Sequence, residues 1–283
     1  MTQIYAFFLL CTNDARIFLY ISHMNGKEIP DKLSFDTDAL MPGLSVDCVV
    51  IGFEDNKLKV LILKWKTPNG MWTLPGGFVF KNEDLNQAAT RVLNDRTGIK
   101  LPFLEQFHTF GSTNRNGSSN TNQLVNNLES IGVKGELMNW FSQRFVSAGY
   151  VSLIDIQKSD LKTDFLSAKI KWVSIEDLPD LIIDHNHIVK TALDYIKNLI
   201  HYLPVGITLL PEKFTMKELQ YLYEAILQKK LDRGNFQRKM LKLDIFIRHE
   251  KMMEGKANKA PYLYSIDKEK YEKLLENGYG FAS

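Results

Sequence analysis

Residues 76–98 read GGFVFKNEDLNQAATRVLNDRTG. Leu85, Ala88, Ala89, Val92 and Leu93 recur at steps of three and four, which predicts an amphipathic helix over 83–96. Gly98 is its natural stop, because glycine takes the left-handed backbone that ends a helix at little cost. Gly76-Gly77 predict a tight turn at the entrance. A glycine turn feeding a helix suits phosphate chemistry, and a divalent metal there would need a set of carboxylates. The helix instead offers Val92, Asp95 and Arg96 on the face where those carboxylates would stand.

Upstream, 45–66 is β-rich with a polar turn at Glu54 to Lys57, so it predicts a hairpin. Residues 68–79 form a Gly/Pro loop around a short strand. Downstream, 103–112, 144–156 and 168–175 predict strands. The polar run 114–123 predicts a loop, 124–142 a helical stretch, and Asp184 an N-cap for a helix reaching about Tyr202. Under that reading "DHNH" (184–187) is a helix start with two ordinary histidines. The pattern is a mixed sheet with helices on it.

Residues 203–214 carry Pro204 and Pro211 and break the periodicity, so a linker is placed there. Beyond it the chain changes character. Thr215 and Glu218 make a capping box ahead of the stripe Met216, Leu219, Tyr223, Ile226 and Leu227. Asp232 can cap a second helix, and 244–266 predict two strands about a Gly/Asn/Lys-rich tip. Helix, helix, hairpin is the plan of a winged helix-turn-helix.

At 77–99 the sequence resembles the Nudix family, whose pattern runs Gly, five residues, Glu, seven residues, Arg-Glu-apolar-any-Glu-Glu, one residue, Gly, apolar. Gly77, Glu83, Arg91, Leu93, Gly98 and Ile99 fall in register, and "WTLPGGFV" upstream adds to the match. The resemblance implies an α+β fold, a Nudix-like mixed-sheet α/β/α sandwich, over 45–202. It also implies Mg²⁺ held by the glutamates of the second cluster in members that cleave pyrophosphates. Here those positions are Val92, Asp95 and Arg96. Magnesium wants oxygen ligands, and one carboxylate beside an arginine is a poor set. The expectation is a sensor with no catalytic residues and no metal. The alternative is a Mg²⁺-dependent hydrolase of a nucleoside diphosphate derivative, such as ADP-ribose, with Glu83 and Asp95 as remaining ligands and a carboxylate from a distant loop able to substitute. A metal-free cleft can still bind a polyol or phosphorylated ligand through charge-assisted hydrogen bonds. Arg91, Asp95, Arg96, Arg115 and Arg144 are the candidate effector contacts.

In the C-terminal region positive residues cluster, although the whole chain carries only +2. At about 100° per residue, Phe236, Met240 and Leu243 share one sector of the second helix. Asn235, Arg238 and Lys242 share the opposite one, with Lys239 at its border. An apolar back and a front able to reach base edges and phosphates are what a recognition helix needs. Arg233, Asn235, Arg238, Lys239 and Lys242, with Lys256, Asn258 and Lys259 at the hairpin tip, are the candidate DNA contacts. A lone amphipathic helix would be an ordinary solvated face; the capped first helix, basic front and Lys-tipped hairpin in series point to DNA.

The combination is similar to Nudix-related bacterial transcriptional regulators. That resemblance implies a cytoplasmic homodimer that binds double-stranded DNA and a sugar or nucleotide-sugar effector, such as ADP-ribose or arabinose. The domains expected are an N-terminal extension (1–44, poorly ordered at least to about 24), the sensor (45–202), the linker (203–214) and the winged helix (215–283). Two cysteines, Cys11 and Cys48, exclude a disulfide framework and a Cys-rich zinc site. The apolar runs 4–11 and 17–24 fall short of the ~20 residues of a membrane span, so no membrane role is expected.

Overall fold

The computed structural model describes residues 37–100, 104–115, 121–130, 132–201, 203–251 and 260–277. Residues 1–36, which hold most of the expected N-terminal extension, and the hairpin tip with Lys256, Asn258 and Lys259 lie outside the described residues.

The first half is built on a seven-stranded mixed sheet: β1 (Leu40–Glu54), β2 (Lys57–Trp65), β3 (Trp72–Thr73), β4 (Gly76–Phe80), β5 (Glu105–Phe110), β6 (Val146–Leu153) and β7 (Ser167–Ser174). The path runs β3-β2-β1-β6-β5, with β4 paired to β1 and β7 to β2. Among the described strands only β1 and β6 pair in parallel, in register from Leu44↔Val146 to Ile51↔Leu153. β1 starts at Leu40, so residues 40–44 belong to the sheet. The β1–β2 hairpin closes through Asp55 and Asn56, at φ 54° and 60°, the positive values that a tight two-residue turn demands.

Helix α1 (Leu85–Thr97) covers one face. It begins in a capping box between Asp84 and Gln87 and ends at Gly98, φ 75°. Its Ala88, Ala89, Val92 and Leu93 pack with Val46, Cys48, Val50, Leu61, Ala148 and Tyr150 of the sheet. The stretch expected as one helix over 124–142 is two, α2 (Thr121–Ser130) and α3 (Glu136–Ser142). Gly132 and Gly135 take φ 87° and 60° between them, which no continuous helix permits. Helix α4 (His185–Leu199) covers the opposite face through Ile188, Val189, Ala192 and Ile196.

Residues 203–214 are no exposed linker. A 3-10 turn (Ile207–Leu209) and strand β8 (Phe214–Thr215) bury Ile207, Leu209, Leu210 and Phe214. They join the core under α4 to that of the C-terminal half in one apolar cluster. That half contains α5 (Met216–Leu227), α6 (Arg233–Leu241), the antiparallel strands β9 (Phe246–Lys251) and β10 (Tyr262–Ile266), and α7 (Lys268–Asn277). β8 pairs with β10, making the three-stranded sheet of a winged helix.

Candidate effector cleft and nucleic-acid interface

Gly76 and Gly77 lie in β4, not in a turn. What demands glycine is close approach. A Cβ on Gly76 would stand 2.2 Å from Asp47 Oδ1, and one on Gly77 would stand 2.8 Å from a Val92 methyl. Val92 is therefore a packing residue, 1% exposed, where a metal-holding family member has a carboxylate.

The other Nudix positions are paired within the protein. Arg91 Nε donates to Glu83 Oε2 at 2.9 Å, and its Nη2 donates to Glu83 Oε1 and to the Phe78 carbonyl. Glu83 Oε1 also accepts the Phe80 amide. Glu83 thus ties β4 to α1. Asp95 stands 3.8 Å from Arg91 Nη1; burial raises its pKa, and Arg91 only partly offsets this. Arg96 is buried in an ion pair with Asp164. Asp164, a carboxylate on a distant loop, faces that guanidinium. Its loop is fixed to the end of α1, where the Lys162 amide donates to the Thr97 carbonyl at 2.8 Å. These residues do not fit a magnesium ion: one ligand position is aliphatic, and two arginines already neutralise Glu83 and Asp164.

Arg115, a candidate effector contact from the sequence, is buried. Its Nε and Nη2 donate to Asp184 at 2.7 and 2.8 Å, and Nη1 donates to the Phe145 carbonyl at 3.1 Å. Asp47 Oδ2 lies 3.6 Å away and accepts the Ser147 hydroxyl at 2.6 Å. Burial works against the Arg115 charge, but Asp184 and Asp47 outweigh it and hold its pKa above the ordinary value. The expectation for "DHNH" needs correction. Asp184 occupies the N-cap position of α4 but makes no side-chain cap bond, because its carboxylate is turned to Arg115. His185 is buried beside it. Its Nδ1 accepts the Leu74 amide at 3.0 Å, which leaves the proton on Nε2, 3.5 Å from Asp47 Oδ1. Burial is the main cause that lowers its pKa. Just ahead, Ile183 has φ 52°, a strained conformation for a branched residue. Among the five candidate contacts, the structure joins Arg91 with Asp95 and places Arg96 and Arg115 in separate buried pairs. Arg144 is exposed, next in the chain to Phe145.

The C-terminal half treats its charges differently. Thr215 and Glu218 form the expected capping box of α5. Gln228 ends it at φ 52°, and Glu224 then fixes the connection to α6. Its carboxylate accepts the Leu231 amide at 3.0 Å and Lys230 Nζ at 2.9 Å. The first of these contacts leads in drawing its pKa down to about 2. Asp232 caps α6 by accepting the Asn235 amide, and Phe236 and Met240 fill the core, Phe236 meeting Tyr223 edge-on at 5.2 Å. Arg233, Arg238, Lys239 and Lys242 are exposed. Among the described residues no carboxylate lies within ion-pair distance of them. Arg238 Nη2 instead donates to Asn235 Oδ1, so these two side chains act as one unit. Asn235 is exposed and also lines a cavity together with Phe236 and Lys239. Sequence reasoning did not single out the stem of the wing. Arg248 lies over the Tyr262 ring, 3.4 Å from its centroid, with Lys251 at 5.3 Å. Leu241, Ile247 and Tyr262 are three of the four exposed large apolar residues among those described. The alternation of β9 and β10 carried that signal.

A mixed sheet carrying the Nudix helix, followed by two helices and a wing, defines a sensor-and-reader architecture. The NUDIX domain family matches residues 41–192, more than half of the chain, and the protein belongs to the Nudix family. Residues 206–266 match the NrtR DNA-binding winged helix domain. Among individual proteins, the chain is similar to the ADPR responsive transcriptional repressor NtrR of Acinetobacter baylyi, 28% identical over 211 residues, 72% of this chain and 74% of that protein. The crystal structure of Shewanella oneidensis NrtR complexed with a 27mer DNA covers 81% of this chain and 95% of its own, with 26% identity and a TM-score of 0.62. A MutT/nudix family protein from Enterococcus faecalis, 19% identical, covers 90% of this chain and 95% of its own at a TM-score of 0.56, a likeness of fold alone. No helix among the described residues is long and apolar enough to cross a membrane.

Proposed function

We propose that the protein is a cytoplasmic transcriptional regulator that binds operator DNA as a homodimer and responds to ADP-ribose through a Nudix domain that does not hydrolyse it. The observation that carries this reading is the fate of the Nudix carboxylates. Glu83 is closed onto Arg91, Val92 is buried and Arg96 is spent on Asp164, while the chain continues into a winged helix whose Arg233, Arg238, Lys239 and Lys242 have no carboxylate partner among the described residues. The ADPR-responsive repressor and the DNA-bound NrtR structure support the ligand and the partner.

In this reading Arg233, Arg238, Lys239 and Lys242, with Arg248 and the wing tip, meet the duplex. Lysines neutralise phosphate, and the Arg238–Asn235 unit presents donors to base edges. Arg144 and Asp95 meet the effector, and Arg91, Arg96 and Arg115 hold the walls of its site. Arg115 also joins the sheet to the start of α4, which packs against α5 of the winged helix. An effector that favours one setting of that contact shifts the DNA-binding geometry by its differential affinity for the two states.

The test is a gel shift on the gene's upstream DNA with ADP-ribose and arabinose as competing effectors, alongside phosphate-product analysis with ADP-ribose and Mg²⁺. The expected result is salt-sensitive binding altered by ADP-ribose, without turnover. Brisk hydrolysis with no affinity for duplex DNA would overturn the reading.

A further inference from the structure

Where the two halves meet, the structure leaves an open cavity of about 410 Å³, within the range of about 300–1,000 Å³ for small-molecule sites. Its far wall is the end of α4 and the turn after it, at Ile200 and Pro204; its near wall is α6. The floor is apolar, formed by Leu227, Phe236 and Met240. The rim is not. Lys229 and Lys239 stand on it and, among the described residues, neither has a carboxylate partner. The rim carboxylate, Asp232, is turned to the Asn235 amide as a helix cap. Tyr223, on the wall, is 5% exposed and adds its ring to the apolar lining.

An apolar floor under two ammonium groups that have no carboxylate partner among the described residues selects one chemistry. We propose that this junction cavity is a second ligand site, separate from the Nudix cleft, for a small amphipathic organic anion. Its apolar body lies over Phe236 and Met240, and its carboxylate, phosphate or sulfonate head lies between Lys229 and Lys239. Lipid bilayers and extended peptides fit less well, because a space of about 410 Å³ admits only a small body. Lys239 and Asn235 belong both to this wall and to the proposed DNA face, so occupancy and DNA binding oppose each other. By linkage, each weakens the other by the same factor.

The probe is 8-anilinonaphthalene-1-sulfonate, titrated by fluorescence into the full-length chain. One saturable site is expected, not displaced by ADP-ribose. Lys229→Glu with Lys239→Glu weakens it by at least about tenfold, the effect of removing a single charge-assisted hydrogen bond. Leu243→Trp, which fills the cavity without changing charge, weakens it as much. Lys169→Glu with Lys268→Glu, two exposed lysines that do not line the cavity, makes the same change in net charge, leaves binding unchanged and so separates a local site from a net-charge effect. Probe binding that is non-saturable, displaced by ADP-ribose or indifferent to both cavity variants overturns the proposal. None of these titrations uses DNA, so failure of the proposed function and failure of this site are read separately.

Discussion

The two halves of this protein use the same side chains in opposite ways. In the Nudix half, Arg91, Arg96 and Arg115 are each closed onto carboxylates, and two of the three are buried. In the winged helix, Arg233, Arg238, Lys239 and Lys242 stand in solvent with no such partner among the described residues. A buried ion pair adds little net stability, yet losing one partner strands the other charge. An exposed cation adds little to stability either, but remains available to a phosphate. Function in the second half is therefore readable from unpaired charge. In the first half it depends on which pairs a ligand can rearrange.

The sharpest way to break that contrast is Arg115→Met. It leaves Asp47 and Asp184 facing each other in a buried site, and urea unfolding is expected to show a loss of about 3–5 kcal/mol. Much of this should return when Asp184→Asn is added. If Arg115→Met costs no more than a surface change, the hub is not structural. Next in size is Glu224→Gln, which weakens the bonds that fix the Leu231 turn before α6. A loss of about 1.5–3 kcal/mol is expected, together with faster amide exchange at Leu231.

A smaller effect concerns pH. The His185 pKa is lowered in the folded state, mainly by burial, so below the unfolded value of about 6.5 the unfolded chain binds more protons. Its contribution to stability is complete above that pH and is lost as pH falls below it. Thermal melts between pH 7.5 and 5 should show this slope, reduced in His185→Asn. Smallest on stability are Arg238→Ala and Lys242→Ala, expected within about 0.5 kcal/mol of the parent. Both should weaken DNA binding, and if Lys242 meets a phosphate its loss lowers the salt slope by about 0.9. A melt that moves while DNA affinity stays fixed would reverse the assignment of the two halves.

Local rules made much of the fold legible. Gly98, the Thr215–Glu218 box and the Asp232 cap each act within a few residues, and the stripes of α1 and α5 face the cores as their periods require. What sequence could not reveal are pairings across the fold: Arg96 with Asp164 and Arg115 with Asp184 are separated by 68 and 69 residues. That distance turned candidate effector contacts into buried partners, and turned Asp184 from a helix cap into one of them. Gly76 and Gly77 were legible as necessary but not for the right reason, since the demand comes from Asp47 and Val92 across the sheet. Strand β8 is two residues long and exists because β10 pairs with it, so no local pattern announced it. Helix α7 was also absent from the sequence reading, although Asp267 begins it by accepting the Lys270 amide.

The most direct measurement is the anisotropy of a labelled duplex from the gene's upstream region, titrated with the full chain at fixed Mg²⁺, with and without ADP-ribose, and followed for hours. A sensor without hydrolytic chemistry gives an ADP-ribose-dependent change in Kd that persists at constant ligand. An effect that decays as ADP-ribose is consumed, or a Kd that ADP-ribose leaves untouched, would contradict it.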